Sequence, residues 1–117
     1  MILFLCYARC STCQKAKKWL EANQVDYVER AIAIDNPTYE ELKKWYELSG
    51  LAIKKWFNTS GKLYKEMNLK DQIKTMSDDE CLKSLATNGM LVKRPIVVSN
   101  QGVLVGFKED DYNQLLK

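Results

Sequence analysis

The sequence predicts an α/β protein, because short apolar runs alternate with a helical pattern at its beginning and form a hairpin followed by a helix at its end. A β-α-β unit pairs its strands in parallel, and a hairpin adds antiparallel strands, so the expected sheet is mixed. The 117 residues fit one compact domain. We therefore predict a single domain over residues 1–117.

The opening unit contains two predicted strands and one helix. Residues 2–7 form a short, continuously apolar run, which is typical of a strand that is buried on both faces. From residue 13 the apolar side chains recur at helical spacing with lysines between them, up to residues 23–24. Residues 25–28 then predict the second strand.

The middle of the chain is predicted to be helical with one long loop. Thr38 and Ser77 each begin a capping box, the N-terminal signature of a helix. The first of these helices should end near Gly50 and the second at residues 88–89. A short helix is expected at 53–57, and residues 58–75 are predicted to be mostly loop.

The end of the chain predicts a β-hairpin and a helix. Residues 95–98 and 103–105 are apolar and flank the turn sequence Asn100–Gly102. Residues 110–117 have the pattern of a final helix.

Charge and hydropathy exclude several classes of function. The net charge of +3 is too small to indicate direct nucleic-acid binding, and no apolar stretch approaches the roughly 20 residues of a membrane span. The sequence also contains no export signal, so we expect a cytoplasmic monomer without a membrane partner. There is no histidine, which removes the commonest general base and metal ligand.

The pair Cys10 and Cys13 carries the predicted chemistry. It lies where a buried strand passes into a helix, and the partial positive charge of a helix N-terminus favours the thiolate of Cys10. Cys13 follows one turn later and could attack a mixed disulfide formed at Cys10. The alternative is a pair of structural cysteines without reactivity.

Metal binding by the cysteines is disfavoured. The spacing of Cys6, Cys10 and Cys13 matches an iron–sulfur motif of radical SAM enzymes, but such enzymes are large barrels and Cys6 lies within the predicted strand. A structural zinc site needs four ligands, and no second Cys-x-x-Cys pair is present. Cys6 and Cys81 have apolar neighbours and are expected to be buried.

Three motifs give the chain a family resemblance. Residues 10–16, 93–96 and 105–108 resemble the arsenate reductase family of thioredoxin-like proteins, including its Spx-type members, and they occur in the same order over nearly the whole chain. The resemblance implies a thioredoxin-like (glutaredoxin-like) fold with a mixed central sheet and an inserted helical segment.

The resemblance also assigns roles to residues. It makes Cys10 the nucleophile, Arg94 the residue that holds an oxyanion, and Pro95 the cis-proline that faces the cysteine. Cys10, Cys13 and Arg94 are thus the predicted catalytic residues. The predicted substrate-binding residues are Ser11, Thr12 and Pro95.

Two departures from the arsenate reductases affect the expected activity. Cys13 adds a second thiol, as in Spx-type proteins. No arginine occurs in residues 58–61, where those reductases supply a further clamp residue, although Lys54 or Lys62 could supply weaker point charges. Arsenate turnover is therefore expected to be weak or absent.

These observations favour a thiol–disulfide oxidoreductase with Cys10 as nucleophile and Cys13 as resolving thiol. We expect no bound cofactor, with glutathione or glutaredoxin as electron donor and a thiol redox protein as partner. The first alternative is an Spx-type redox-sensing regulator that binds the RNA polymerase α subunit. The second is a binding module without redox activity on the same fold.

Overall fold

A computed structural model describes residues 1–117 and contains a four-stranded sheet with six helices. The strands are β1 (Ile2–Cys6), β2 (Tyr27–Ala31), β3 (Ile96–Ser99) and β4 (Gly102–Val105). The helices are α1 (Ser11–Ala22), α2 (Tyr39–Ser49), α3 (Lys62–Glu66), α4 (Leu69–Gln72), α5 (Asp78–Leu85) and α6 (Glu109–Leu116). Short 3-10 turns occupy Ile53–Trp56 and Gly89–Leu91.

The sheet has the strand order β2-β1-β3-β4 and is mixed, as predicted. β1 pairs with β2 in parallel and with β3 in antiparallel orientation, and β3 and β4 form the antiparallel hairpin. Because β1 is an interior strand, most of its residues are buried, which explains its continuous apolar sequence. The predicted α/β fold class with a mixed central sheet is confirmed.

The chain divides into two compact units. Residues 1–31 and 94–117 form the first, which holds the whole sheet together with α1 and α6. Residues 32–93 form the second, which holds α2 to α5 and corresponds to the inserted helical segment.

Tyr112 of α6 anchors the core of the first unit. Its ring is fully buried and meets Trp19 of α1 and Phe107 edge to face, with centroids 5.4 and 4.8 Å apart. Its hydroxyl donates to the Gly106 carbonyl at 2.9 Å, so the polar end of the ring is satisfied as well. Such pairs stabilise a core by about 0.5–1.5 kcal/mol beyond their buried area. This packing fixes α1, the helix whose first turn carries the cysteine pair.

The second strand begins at Tyr27, two residues later than the start predicted from the sequence. The Val25 N–H donates to the Leu20 carbonyl at 2.9 Å and so helps to end α1. Because this N–H is bonded to the end of α1, it cannot form a hydrogen bond to a neighbouring strand. β2 therefore starts at Tyr27.

The capping boxes of the second unit are confirmed. Thr38 and Ser77 are the N-caps of α2 and α5, and each exchanges hydrogen bonds with the glutamate three residues later. α2 ends at Gly50, whose φ of 68° lies in the left-handed region that glycine adopts without strain. α5, however, ends at Leu85, and Asn88 caps the following 3-10 turn instead of closing the helix.

The prediction of a loop over residues 58–75 is wrong in part, because α3 and α4 lie within it. These helices have five and four residues, too few to display an apolar stripe in the sequence. None of the six helices combines the length and the apolar character that crossing a membrane would require.

Candidate active site

Cys10 is the N-cap residue of α1. Its backbone is extended, and its Sγ accepts a hydrogen bond from the Cys13 N–H at 3.4 Å. The Cys10 N–H in turn donates to the Tyr7 carbonyl at 3.0 Å, which closes the turn between β1 and the helix. The half-buried Cys10 thiol therefore lies at the N-terminus of a 12-residue helix, where backbone N–H groups are free to donate to it.

The Cys10 thiol is more acidic than an ordinary cysteine. Burial alone would raise its pKa, but hydrogen bonds from the Cys13 N–H and thiol and the positive charge of Arg94 outweigh burial and lower the pKa. A lowered pKa increases the fraction of thiolate, which is the form that attacks disulfides.

Cys13 has the opposite character. Its side chain is 1% exposed, and its Sγ accepts a hydrogen bond from the Tyr7 N–H at 3.4 Å. Burial raises the pKa of Cys13 to about 12, and the adjacent Cys10 contributes to the rise. The pKa shifts of the two thiols therefore have opposite directions, lowered at Cys10 and raised at Cys13.

Arg94 lies two residues before β3 and close to the cysteine pair. Its guanidinium lies over the Tyr7 ring, 4.9 Å from the centroid, and its charge lowers the pKa of Cys10. The Arg94–Pro95 peptide bond is cis, and the Pro95 carbonyl accepts a hydrogen bond from Gly106 at 2.8 Å. The predicted catalytic residues Cys10, Cys13 and Arg94 thus lie together within the first unit.

Ser11 and Thr12 lie in the first turn of α1, as the motif requires. Ser11 is exposed and Thr12 half-buried, and neither side chain makes a hydrogen bond within the protein. Their role in substrate binding stays a prediction, as does that of the buried Pro95.

Tyr7 is the site residue that the sequence analysis missed. Its carbonyl accepts from Cys10, its N–H donates to Cys13, and its ring supports Arg94. The only signal in the sequence is its position, an aromatic residue three places before the first cysteine of the pair.

Cys6 and Cys81 are buried, as expected, and all four cysteines are free thiols. Burial, reinforced by the charge of Glu29, raises the pKa of Cys6 to about 11, and burial also raises the pKa of Cys81. Both are neutral thiols near pH 7 and so poor nucleophiles compared with Cys10.

Two sequence relatives and two solved structures resemble this chain over almost its full length. The uncharacterized protein YusI of Bacillus subtilis is 50% identical over 97% of this chain and 96% of its own. The global transcriptional regulator Spx 2 of Bacillus anthracis is 29% identical over 99% of this chain and 87% of its own. A crystal structure of an ArsC family related protein from Bacteroides fragilis superposes with a TM-score of 0.96, at 57% identity over 97% of this chain and 96% of that one.

An arsenate reductase structure from Vibrio cholerae superposes with a TM-score of 0.86, at 28% identity over 98% of this chain and 97% of that one. The family model of the ArsC family matches residues 5–115. That range includes both cysteines of the pair, Arg94 and the complete β3–β4 hairpin. The relatives therefore include both reductases and transcriptional regulators, and the chain belongs to the ArsC family.

Proposed function

We propose that the protein is a thiol–disulfide oxidoreductase in which Cys10 is the nucleophile and Cys13 the resolving thiol. The observation that carries the proposal is the opposite direction of the two pKa shifts, lowered at Cys10 and raised at Cys13. One thiol is thereby prepared to attack, while the other keeps its proton until it is needed.

In the first step, the Cys10 thiolate attacks one sulfur of a substrate disulfide. The substrate S–S bond breaks, a mixed disulfide forms at Cys10, and the departing thiolate takes a proton from water. Arg94 does not take part in the bond changes. It stabilises the negative charge on Cys10 before the attack.

In the second step, Cys13 gives up its proton to water and its thiolate attacks the Cys10 Sγ. The bond between Cys10 and the substrate sulfur breaks, and the second substrate thiolate leaves and takes up a proton. The products are a Cys10–Cys13 disulfide, oxidised by two electrons, and a substrate reduced to two thiols. Because the negative charge of Cys10 contributes to the raised pKa of Cys13, its loss in the mixed disulfide makes Cys13 more acidic when it must react.

The cycle closes when an external thiol reduces the Cys10–Cys13 disulfide. Two molecules of glutathione, or one dithiol protein of the glutaredoxin class, would supply the two electrons and become oxidised. This needs no bound cofactor, and it requires a reduced thiol pool of the kind that the cytoplasm maintains.

A glutathione-coupled assay with a small symmetrical disulfide, bis(2-hydroxyethyl) disulfide, tests this function. Cys10→Ser should abolish turnover above background, whereas Cys81→Ser is the matched control because Cys81 lies outside the pair and should retain it. Turnover that survives in Cys10→Ser would contradict the proposal.

A second candidate function is redox-dependent binding to the RNA polymerase α subunit. The relationship to Spx 2 over 99% of this chain favours it, as does the Cys-x-x-Cys pair that the resemblance shares with Spx-type regulators. Binding of the purified α subunit to the reduced and the oxidised protein distinguishes the two functions. A regulator should bind in one redox state and lose this dependence in Cys13→Ser, whereas a pure oxidoreductase should bind in neither state.

A further inference from the structure

A surface hollow of about 530 Å³ lies in the second unit, outside the residues assigned to the cysteine site. The residues that line the hollow are Lys54, Thr59, Tyr64, Lys65, Asn68 and Lys70. We refer to it as the lysine hollow. Its volume falls within the range of about 300–1,000 Å³ that is usual for small-molecule sites.

The wall of the lysine hollow presents groups that can donate hydrogen bonds and no carboxylate. Its three lysines make no ion pair within the protein, unlike Lys62, which pairs with Glu66, and Lys74, which pairs with Asp71. Positive charge is also concentrated along this segment. Residues 54–74 contain six lysines and only two acidic residues, whereas the whole chain has a net charge of +3.

Tyr64 adds a neutral hydrogen-bond donor to the wall of the lysine hollow. The residue is only 4% exposed, and its ring packs against Phe57 with centroids 6.0 Å apart. Its hydroxyl nevertheless makes no hydrogen bond within the protein, although the residue forms part of the wall. The hydroxyl oxygen itself reaches solvent at the wall of the lysine hollow, so it can donate to a ligand there. Burial and the charge of Asp71 raise the pKa of Tyr64, and the Asp71 carboxylate pairs with Lys74 at 3.5 Å.

From these observations we propose that the lysine hollow binds a small phosphorylated organic molecule. Lysine ammonium groups bind phosphate as mobile point charges, and no arginine is present in this segment to select a planar carboxylate. The Tyr64 hydroxyl would donate to the same phosphate, and the hollow has room for an organic group larger than inorganic phosphate alone.

Titration of the full-length, isotopically labelled protein, followed by two-dimensional amide spectra, tests the proposal. The probes are inorganic phosphate, pyrophosphate and 5′-AMP at an ionic strength of about 0.15 M, where weak surface attraction is largely screened. We expect saturable shifts centred on residues 54–70, with 5′-AMP binding more tightly than inorganic phosphate.

Two double variants separate a site from diffuse attraction, because each removes two charges from the same segment. The variant with Lys65→Gln and Lys70→Gln alters the wall of the hollow and should weaken 5′-AMP binding by about 10-fold or more. The variant with Lys55→Gln and Lys62→Gln alters lysines outside the wall and should change the affinity by less than about threefold. Tyr64→Phe should weaken binding by about threefold to 10-fold. Unchanged amide shifts elsewhere show that each variant is folded.

Equal losses in the two double variants would overturn the proposal, since they would mean that the attraction is not local. Shifts that never saturate, or saturable shifts confined to residues 7–13 and 94, would overturn it as well.

Discussion

The guanidinium of Arg94 lies over the ring of Tyr7, 4.9 Å from its centroid, while the Tyr7 N–H donates to the Cys13 Sγ at 3.4 Å. Tyr7 thus contacts both Arg94, whose charge lowers the pKa of Cys10, and Cys13, the proposed resolving thiol. The stacking restricts the guanidinium, and a restricted cation lowers the pKa of a neighbouring thiol more effectively than a freely moving one.

Removing the guanidinium should raise the pKa of Cys10. We expect an increase of about one unit in Arg94→Ala, because an adjacent opposite charge typically shifts a pKa by one to three units and Cys10 is partly solvated. The absorbance of the thiolate near 240 nm, followed against pH, measures the change. Arg9→Ala is the control, since Arg9 is adjacent in sequence but exposed, and its removal should leave the pKa of Cys10 nearly unchanged.

The aromatic ring of Tyr7 should contribute a smaller part of the same effect. Tyr7→Leu removes the cation–π contact, worth about 0.5–1 kcal/mol at exposed sites, and should raise the pKa of Cys10 by about half a unit. Tyr7→Phe keeps the ring and should behave as the wild type in the same titration. Equal pKa values in the two variants would show that the stacking does not influence Cys10.

Alkylation should discriminate sharply among the four thiols. At pH 7 iodoacetamide should modify Cys10 at least about 10-fold faster than the others, because its pKa is lowered whereas those of the three buried thiols are raised. The rate at Cys10 should level off at a lower pH than the rates at Cys6 and Cys13, whose pKa values are raised. Peptide mapping after short exposures gives the order, and initial modification at Cys6 or Cys81 would contradict it.

We expect arsenate reduction to be weak, because residues 58–61 contain no arginine where the family resemblance implies a second arginine to hold the oxyanion. The loss of one such contact with a developing oxyanion commonly costs on the order of 100-fold in rate. An assay coupled to glutathione and glutaredoxin measures the turnover. Ser60→Arg, at an exposed position of this segment, should increase it. Robust turnover by the wild type that is lost in Cys10→Ser would show that the missing arginine matters little.

The sequence was sufficient to locate the cysteine pair because the pair marks a change of pattern. A continuous apolar strand and a helical stripe meet at residues 7–13, so Cys10 could be placed at a helix start, and the structure makes it the N-cap. The capping boxes at Thr38 and Ser77 were equally informative, since the hydrogen bonds that start these helices are formed by residues three positions apart.

The contacts of Tyr7 could not be predicted in the same way. Its N–H reaches a thiol six residues later, and its ring meets an arginine 87 positions away in sequence. The first contact uses a backbone group that every residue type except proline has, and the second depends on how β1 and β3 pair. The helices α3 and α4 were not predicted, because segments of four or five residues contain too few turns to show a periodic apolar pattern.

The proposed mechanism requires that Cys10 attacks the substrate and that Cys13 resolves the mixed disulfide. Trapping of the mixed disulfide tests these two roles directly. The protein and its variants would be mixed with a disulfide-bonded peptide, quenched with acid and analysed by intact mass and peptide mapping. Cys13→Ser should accumulate the peptide bound to Cys10. The wild type should show the Cys10–Cys13 disulfide and the free peptide thiol. Cys10→Ser should show neither a peptide adduct nor an intramolecular disulfide. Peptide trapped on Cys13 in the Cys10→Ser variant at a rate similar to that of Cys10 would contradict the account.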